Sequence, residues 1–305
     1  MPLFDINDKG KLTFIRDDDF KLEKEIQRLT EDNLNLIFGL DLVRSEFMIN
    51  QFRIDTLAYD QDQKTFVIIE YKRDKNFSVI DQGYAYLSLM LNNKADFILE
   101  YNENSKNSLK RDDVDWSQSK IIFISPSFTS YQREAINFKD LPIELWEIKR
   151  YSNKSVNMNQ IQTPGAKESV KTISRKDATI EKVSQEIKVY TEEEHLDKGT
   201  DEIKELYERL KAGILNLENL EIKPKKHYVA FVANSNVVDI HIQKSGLKIW
   251  INLQKGQLDD AKQITRDVSN IGHWGNGDYE ISIKNDEDIE YILSLIKQSL
   301  KFNKK

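Results

Sequence analysis

The chain has 305 residues, 39% hydrophobic and 31% charged, enough for two ordinary domains with separate cores and unlike a disordered composition. It contains no cysteine, which excludes disulfides, thiolate metal sites and cysteine nucleophiles. A formal net charge of −6 excludes a histone-like basic protein, but leaves room for a basic groove beside an acidic site. Met1-Pro2-Leu3-Phe4-Asp5 lacks the basic and apolar regions of a signal peptide, and no apolar run approaches a membrane span. A cytoplasmic chain without membrane contact is the expectation.

Leu22, Ile26, Leu29, Leu36 and Ile37 fall near helical spacing, and Gly39 is a natural stop, so a helix is predicted over Phe20 to Phe38. Strands follow at Leu42 to Ile49, Arg53 to Tyr59 and Thr65 to Tyr71, the last two joined by the polar turn Asp60-Gln61-Asp62-Gln63. The β-branched run within Thr65 to Tyr71 lacks alternation, as in a strand buried on both faces. Next come a helix from Val79 to Leu91, strands Asp96 to Tyr101 and Lys120 to Ser125, a helix near Tyr131 to Asn137, and a strand Ile143 to Lys149. This order describes an α/β domain over residues 1–150 with a mixed central sheet.

From Tyr151 to about Thr200, Ser, Asn, Gln, Lys, Thr and Glu dominate, and a linker over 151–200 is expected. Within it, Val183, Ile187 and Tyr190 lie close to helical spacing and could pack on either domain or on a second subunit. Residues 201–305 form a second, α+β domain. A helix from Asp201 to Leu217 leads into strands Tyr228 to Ala233, Val237 to Gln243 and Lys248 to Leu253. A Gly-rich loop, a strand from Tyr279 to Ile283 and a helix from Glu287 to Phe302 close the chain.

The chemistry concentrates on the hairpin. Asp55 in F-R-I-D-T-L and Glu70 in V-I-I-E-Y-K-R sit on its two strands, and folding brings them together. Lys72, two residues beyond Glu70, projects to the same face. A carboxylate and an ammonium ending a buried strand are costly unless paired or metal-bound. Phosphodiester hydrolysis needs a cation that neutralises transition-state charge and acidifies a water, and Mg²⁺ takes oxygen ligands such as these. The bland reading is a surface ion pair worth under about 1 kcal/mol.

D…E-x-K across a hairpin, followed by a helix carrying Gln82-Gly83-Tyr84-Ala85-Tyr86, resembles the PD-(D/E)XK nuclease superfamily, particularly its RecB-type and mismatch-endonuclease-type branches. The resemblance covers residues 20–150 and implies a restriction-endonuclease-like mixed sheet flanked by helices. It implies an Mg²⁺-dependent nuclease, with Mn²⁺ able to substitute, hydrolysing DNA in a defence or restriction-like system. Asp55, Glu70, Lys72, Gln82 and Tyr86 would be catalytic. Glu31 would join Asp55 and Glu70 on the metal, with Glu25 the alternative; Glu46 is compatible with an edge of the site. Ile54 stands where the motif's proline would. Arg73 and Lys75 are candidate phosphate contacts, and a homodimer is a further expectation. A competing reading keeps the fold as a nucleic-acid- or protein-binding module without cleavage.

The second domain resembles a small domain of unknown function found at the C-terminus of predicted nucleases, sometimes catalogued as a predicted transport protein. Lys223-Pro224-Lys225-Lys226, the alternating strands through Trp250 and the run Arg266 to Asp278 carry that likeness. G-x-x-G-x-G lacks the Lys and Ser/Thr of a phosphate-binding loop. His273 and Trp274 could stack on a base or hold a partner peptide, and the histidines lack zinc-ligand spacing.

Overall fold

The computed structural model describes residues 3–73, 77–162, 166, 168–170 and 177–303. The chain forms two compact units, Met1–Val189 and Tyr190–Lys305.

The N-terminal unit is built on a mixed sheet of six described strands, in the order β3-β4-β5-β6-β7-β8. Before it, β1 (Leu3–Ile6) and β2 (Leu12–Ile15) pair as a separate antiparallel hairpin. β3 (Asp41–Ile49), β4 (Phe52–Asp60) and β5 (Thr65–Tyr71) form an antiparallel meander. β6 (Lys120–Ser125) runs parallel to β5, and β7 (Ile143–Arg150) runs parallel to β6. Every residue of β5 is buried, as expected of a central strand covered on both faces.

Helices α1 (Glu23–Glu31) and α2 (Leu34–Phe38) cover one face. There Ile26 and Leu34 pack with Val67, Ile69, Ile122 and Ile124. The expected single helix from Phe20 is thus two, separated at Asp32 and Asn33, and Gly39 ends the second in a left-handed conformation. α3 (Val79–Asn92) and α4 (Lys94–Asn104) cover the opposite face. Ser78 caps α3 by accepting the Asp81 amide at 3.2 Å. Asp96 to Tyr101, expected as a strand, lies inside α4: Phe97, Ile98 and Tyr101 make one buried helical stripe, a spacing that short apolar runs share with strands.

The expected linker over 151–200 is largely structured where it is described. β8 (Val156–Gln160) pairs antiparallel with β7 as an edge strand, which explains its polar composition. After α5 (Ser130–Ala135) in the chain comes α6 (Ala178–Glu186), whose Ile180 and Val183, followed by Ile187, join the core beside α3. The first domain therefore extends well past residue 150. Residues 163–165, 167 and 171–176 of that stretch lie outside the described ones.

The C-terminal unit opens with α7 (Glu192–Leu196) and α8 (Asp201–Leu217) and ends with α9 (Ile289–Asn303). Its described strands form a six-stranded antiparallel sheet: β9 (Glu221–Pro224), β10 (Val229–Val232), β11 (Asn236–Gln243), β12 (Gly246–Ile251), β13 (Arg266–Asp267) and β14 (Tyr279–Ile283). Ile240, Ile242, Ile249 and Ile251 pack with residues of α8 and α9 on one face. Alternation leaves Asp239, His241 and Trp250 to the other. Among the described residues, no helix is long and apolar enough to cross a membrane.

Candidate active site

The turn between β4 and β5 is held by Asp60, whose carboxylate accepts the Gln63 amide at 3.0 Å and the Gln63 side chain at 2.6 Å. From there the ladder runs from Asp60↔Thr65 to Thr56↔Ile69. At the next pair, side chains replace backbone partners. The Asp55 amide donates to Glu70 Oε1 at 3.2 Å, and the Tyr71 amide donates to Asp55 Oδ2 at 3.1 Å. Each carboxylate thus satisfies an amide on the other strand, so the two acids meet without orphaning the backbone.

Glu70 is 2% exposed and Asp55 is half-buried. Lys72 Nζ lies 3.3 Å from Glu70 Oε2 and 5.9 Å from the Phe77 ring centroid. Burial, then the Asp55 charge, push the Glu70 carboxyl from its ordinary 4.5 up to about 7, although Lys72 opposes the rise. Burial also raises Asp55, against the pull of the Tyr71 amide and Lys72. One ammonium therefore faces two desolvated carboxylates, a pocket that favours an added cation or a proton.

α3 supplies Gln82 and Tyr86. The Tyr86 hydroxyl donates to the Arg53 carbonyl at 3.3 Å. Burial raises its pKa first, and the Glu70 charge raises it further, with the Gln82 side chain acting in the opposite sense. Asp55, Glu70, Lys72, Gln82 and Tyr86 therefore converge.

Glu31 does not join them. Its Oε1 accepts from Thr56 Oγ1 at 2.5 Å and from Gln27 Nε2 at 3.0 Å. Thr56 Oγ1 also meets the Tyr71 hydroxyl at 3.1 Å, and Tyr71 packs in the α1-side core whereas Ile68, on the Glu70 side of β5, packs in the other. The expected grouping of Glu31 with Asp55 and Glu70 is therefore not formed: among the described residues, no three His, Cys, Asp or Glu side chains are grouped to hold a metal. Glu25 accepts the Lys21 amide and pairs with Arg150 at 3.7 Å, away from the pair. Glu46 is nearer in effect. Its carboxylate pairs with Lys24 at 2.6 Å and Arg53 at 3.1 Å, and its charge is felt by Asp55.

Gln27 is a site residue that sequence reasoning missed. It is buried, and its Nε2 contacts the Asp55 carbonyl at 2.8 Å, Glu31 Oε1 at 3.0 Å and Ser45 Oγ at 3.2 Å, tying α1 to the carboxylate strand. Its only signal was a polar residue next to Ile26 on the helix stripe. Arg73 turns back toward the start of α1: its amide donates to Glu23 Oε1 at 2.7 Å and its guanidinium to the Lys21 carbonyl. Lys75 lies outside the described residues. His273 Nδ1 meets the Ile271 carbonyl at 2.7 Å, and Trp274 stacks on His227, both in the C-terminal unit.

Over 294 residues, 96% of this chain and 97% of the other, the sequence is 54% identical to an uncharacterized protein of Haemophilus influenzae. The chain belongs to that protein's family. Residues 192–303 match the family described as a domain of unknown function, DUF5655. Among solved structures, the chain is similar to a repair endonuclease from Pyrococcus abyssi, with 19% identity and a TM-score of 0.25 over 43% of this chain and 49% of that one. It is likewise similar to EndoMS in its apo form, with 20% identity and a TM-score of 0.26 over 41% of this chain and 45% of that one. A complex of EndoMS with double-stranded DNA gives 17% and 0.27, over 45% and 51%. The matches span about half of each of those chains.

Proposed function

We propose that the N-terminal unit is an Mg²⁺-dependent nuclease that hydrolyses phosphodiester bonds in DNA, as part of a defence or restriction-like system. The observation that carries this reading is the meeting of Asp55 and Glu70 where the β4–β5 ladder ends, with Lys72 on Glu70. The donor set fits a hard divalent cation: two carboxylate groups, raised in pKa by burial and matched by a single ammonium. Asp55 and Glu70 would hold it, and when bound it would neutralise phosphate charge and lower the pKa of a water.

The side chains have separate tasks around that centre. Lys72, released from Glu70, positions and polarises the attacking water. Tyr86 meets Glu70 from α3, with Gln82 against its hydroxyl. Gln27 fixes the β4 backbone through the Asp55 carbonyl. Glu70 must be ionised to act as a ligand, so a cation would compete with a proton there and bind more weakly as pH falls below about 7.

The Lys72–Glu70 ion pair also favours a second reading, in which the ammonium holds the cation's place and the unit binds nucleic acid without cutting. Incubation of plasmid, linear duplex and single-stranded DNA with and without Mg²⁺ or Mn²⁺ separates the two. Metal-dependent cleavage lost in Asp55→Ala supports the enzyme. Intact DNA in every lane, from protein that binds it, sinks it.

A further inference from the structure

The C-terminal unit gathers aromatic rings on the sheet face that α8 and α9 leave uncovered. His227, just before β10, stacks on Trp274 with ring centroids 4.7 Å apart and planes 11° from parallel. His241 of β11 meets the same indole edge-on at 4.7 Å, and lies 6.5 Å from Trp250. Despite two ring neighbours Trp274 is 51% exposed, whereas Trp250 beneath is buried and its Nε1 has no acceptor among the described residues.

The loop is built to present that indole. A Cβ on Gly275 would come within 2.5 Å of the Trp250 side chain, and one on Gly277 within 1.8 Å of the Ile251 carbonyl oxygen. Glycine at both positions lets the backbone lie flat on β12. The Asn276 amide then donates to buried Asp239 at 2.8 Å, and the Asn276 side chain reaches the Tyr228 hydroxyl at 3.3 Å. Loop and sheet are thus bonded directly after a residue whose large apolar ring stays half exposed. A tight turn needs the glycines; it does not need a half-exposed tryptophan.

The surroundings indicate what would cover the ring. Burial lowers the pKa of His195 and His241, so these rings are uncharged at neutral pH and offer π-surface rather than a fixed charge. Cations lie nearby: the charges of Lys198 and Lys248 are felt at His241, with Lys248 also paired to Glu280 at 3.3 Å, and Lys225 and Lys226 directly precede His227 in the chain, after Lys223, which pairs with Glu221 at 3.0 Å. Stacked rings close to lysines match a flat ring carried on an anionic backbone.

We propose that His227, His241 and Trp274 form a binding site for an unpaired base of single-stranded nucleic acid, which stacks on Trp274 while nearby lysines meet its phosphates. The site lies wholly within the C-terminal unit and does not rest on cleavage by the N-terminal one. Of the two residues that the sequence singled out, Trp274 belongs to the site and stacks on His227, whereas His273 turns to the Ile271 carbonyl.

The test uses the full chain in EDTA, so that hydrolysis does not enter, with fluorescence anisotropy of a labelled oligothymidylate. Parallel arms carry an oligonucleotide of equal length with consecutive abasic positions, and a blunt duplex. The wild type should bind the single strand best. Trp274→Ala should weaken it roughly tenfold or more, and Trp274→Phe should restore most of the affinity. Equal affinity for the abasic strand reduces the site to lysine–phosphate contact and overturns the proposal, as does undiminished binding by Trp274→Ala. Preference for duplex, or no binding of any oligonucleotide by the wild type, overturns it as well and leaves the surface to a protein partner. Because Trp274→Phe and the abasic arm use protein that keeps an aromatic ring in the loop, misfolding of the alanine variant cannot mimic the result. Failure of nuclease activity would leave these affinities unchanged.

Discussion

Glu70→Gln in metal-free buffer isolates the electrostatic cost of the candidate site. Glutamine keeps an oxygen for the Asp55 amide and nearly the same volume, while removing the charge that sits beside Asp55 in a desolvated pocket. Folding raises the Glu70 pKa, so the folded chain holds this proton more tightly than the unfolded chain does. The stabilisation is complete below about pH 4.5 and is lost as pH rises through about 7. A rise from 4.5 to about 7 corresponds to roughly 3 kcal/mol of differential stability. At pH 4.5 wild type and variant should unfold at similar denaturant concentrations. At pH 8 the variant should be more stable by up to about 3 kcal/mol, the gap opening between pH 5 and 7. Added Mn²⁺ should then stabilise the wild type at pH 8 and leave Glu70→Gln nearly unchanged. Urea unfolding across that pH range, with and without Mn²⁺, measures both effects. A gap that stays constant with pH would refute the argument that the carboxylate pair is a strained, cation-deficient pocket.

Other outcomes follow from the same contacts. Asp55→Asn should abolish metal-dependent cleavage with little loss of melting temperature, since its amide oxygen can still accept from the Tyr71 amide; wild-type rates in a folded variant would falsify the ligand assignment. Lys72→Ala should lower turnover in Mg²⁺ far more than DNA affinity in Ca²⁺, and equal losses would make the lysine a phosphate contact instead. Gly83→Ala should destabilise the N-terminal unit by about 1–3 kcal/mol, because the new Cβ would meet Ile143 Cδ1 at 2.4 Å; a neutral result in urea unfolding contradicts the close approach of α3 to β7. Val183→Ala should cost about 2 kcal/mol, and amides within Ala178–Glu186 should exchange slowly, whereas rapid exchange there would return this stretch to a linker.

The parts of the fold that were readable share one property: local pattern and tertiary role agree. Thr65 to Tyr71 is apolar and β-branched because it is central, and its turn residues make hydrogen bonds that their types suggest. Where the two diverge, the pattern misleads. Phe97, Ile98 and Tyr101 suit a short strand or one helical stripe equally well, and only the start of α4 directly after α3 decides. β8 is polar because it is an edge, so it reads as linker until β7 pairs with it. α6 declared its helical spacing but not its destination, which its buried Val183 supplies.

For the site, the distinction is between what one element determines and what two elements determine. Asp55, Glu70 and Lys72 belong to a single hairpin, so strand alternation alone brings them together. Glu31 depends on the rotation of α1 about its axis, which linear order does not encode, and Thr56 and Gln27 turn it to the other face of the sheet. The same limit hid Gln27 and the His227–Trp274 stack, each made by residues far apart in the chain. The end of the backbone ladder at Asp55 and Glu70 follows from the chemistry rather than accompanying it. Two carboxylates can share a desolvated pocket only if each has a donor, and the nearest donors are the amides of the two strands that carry them. By taking those amides the acids stop the strands from pairing further, and it is at this end of the ladder that Lys72 meets Glu70.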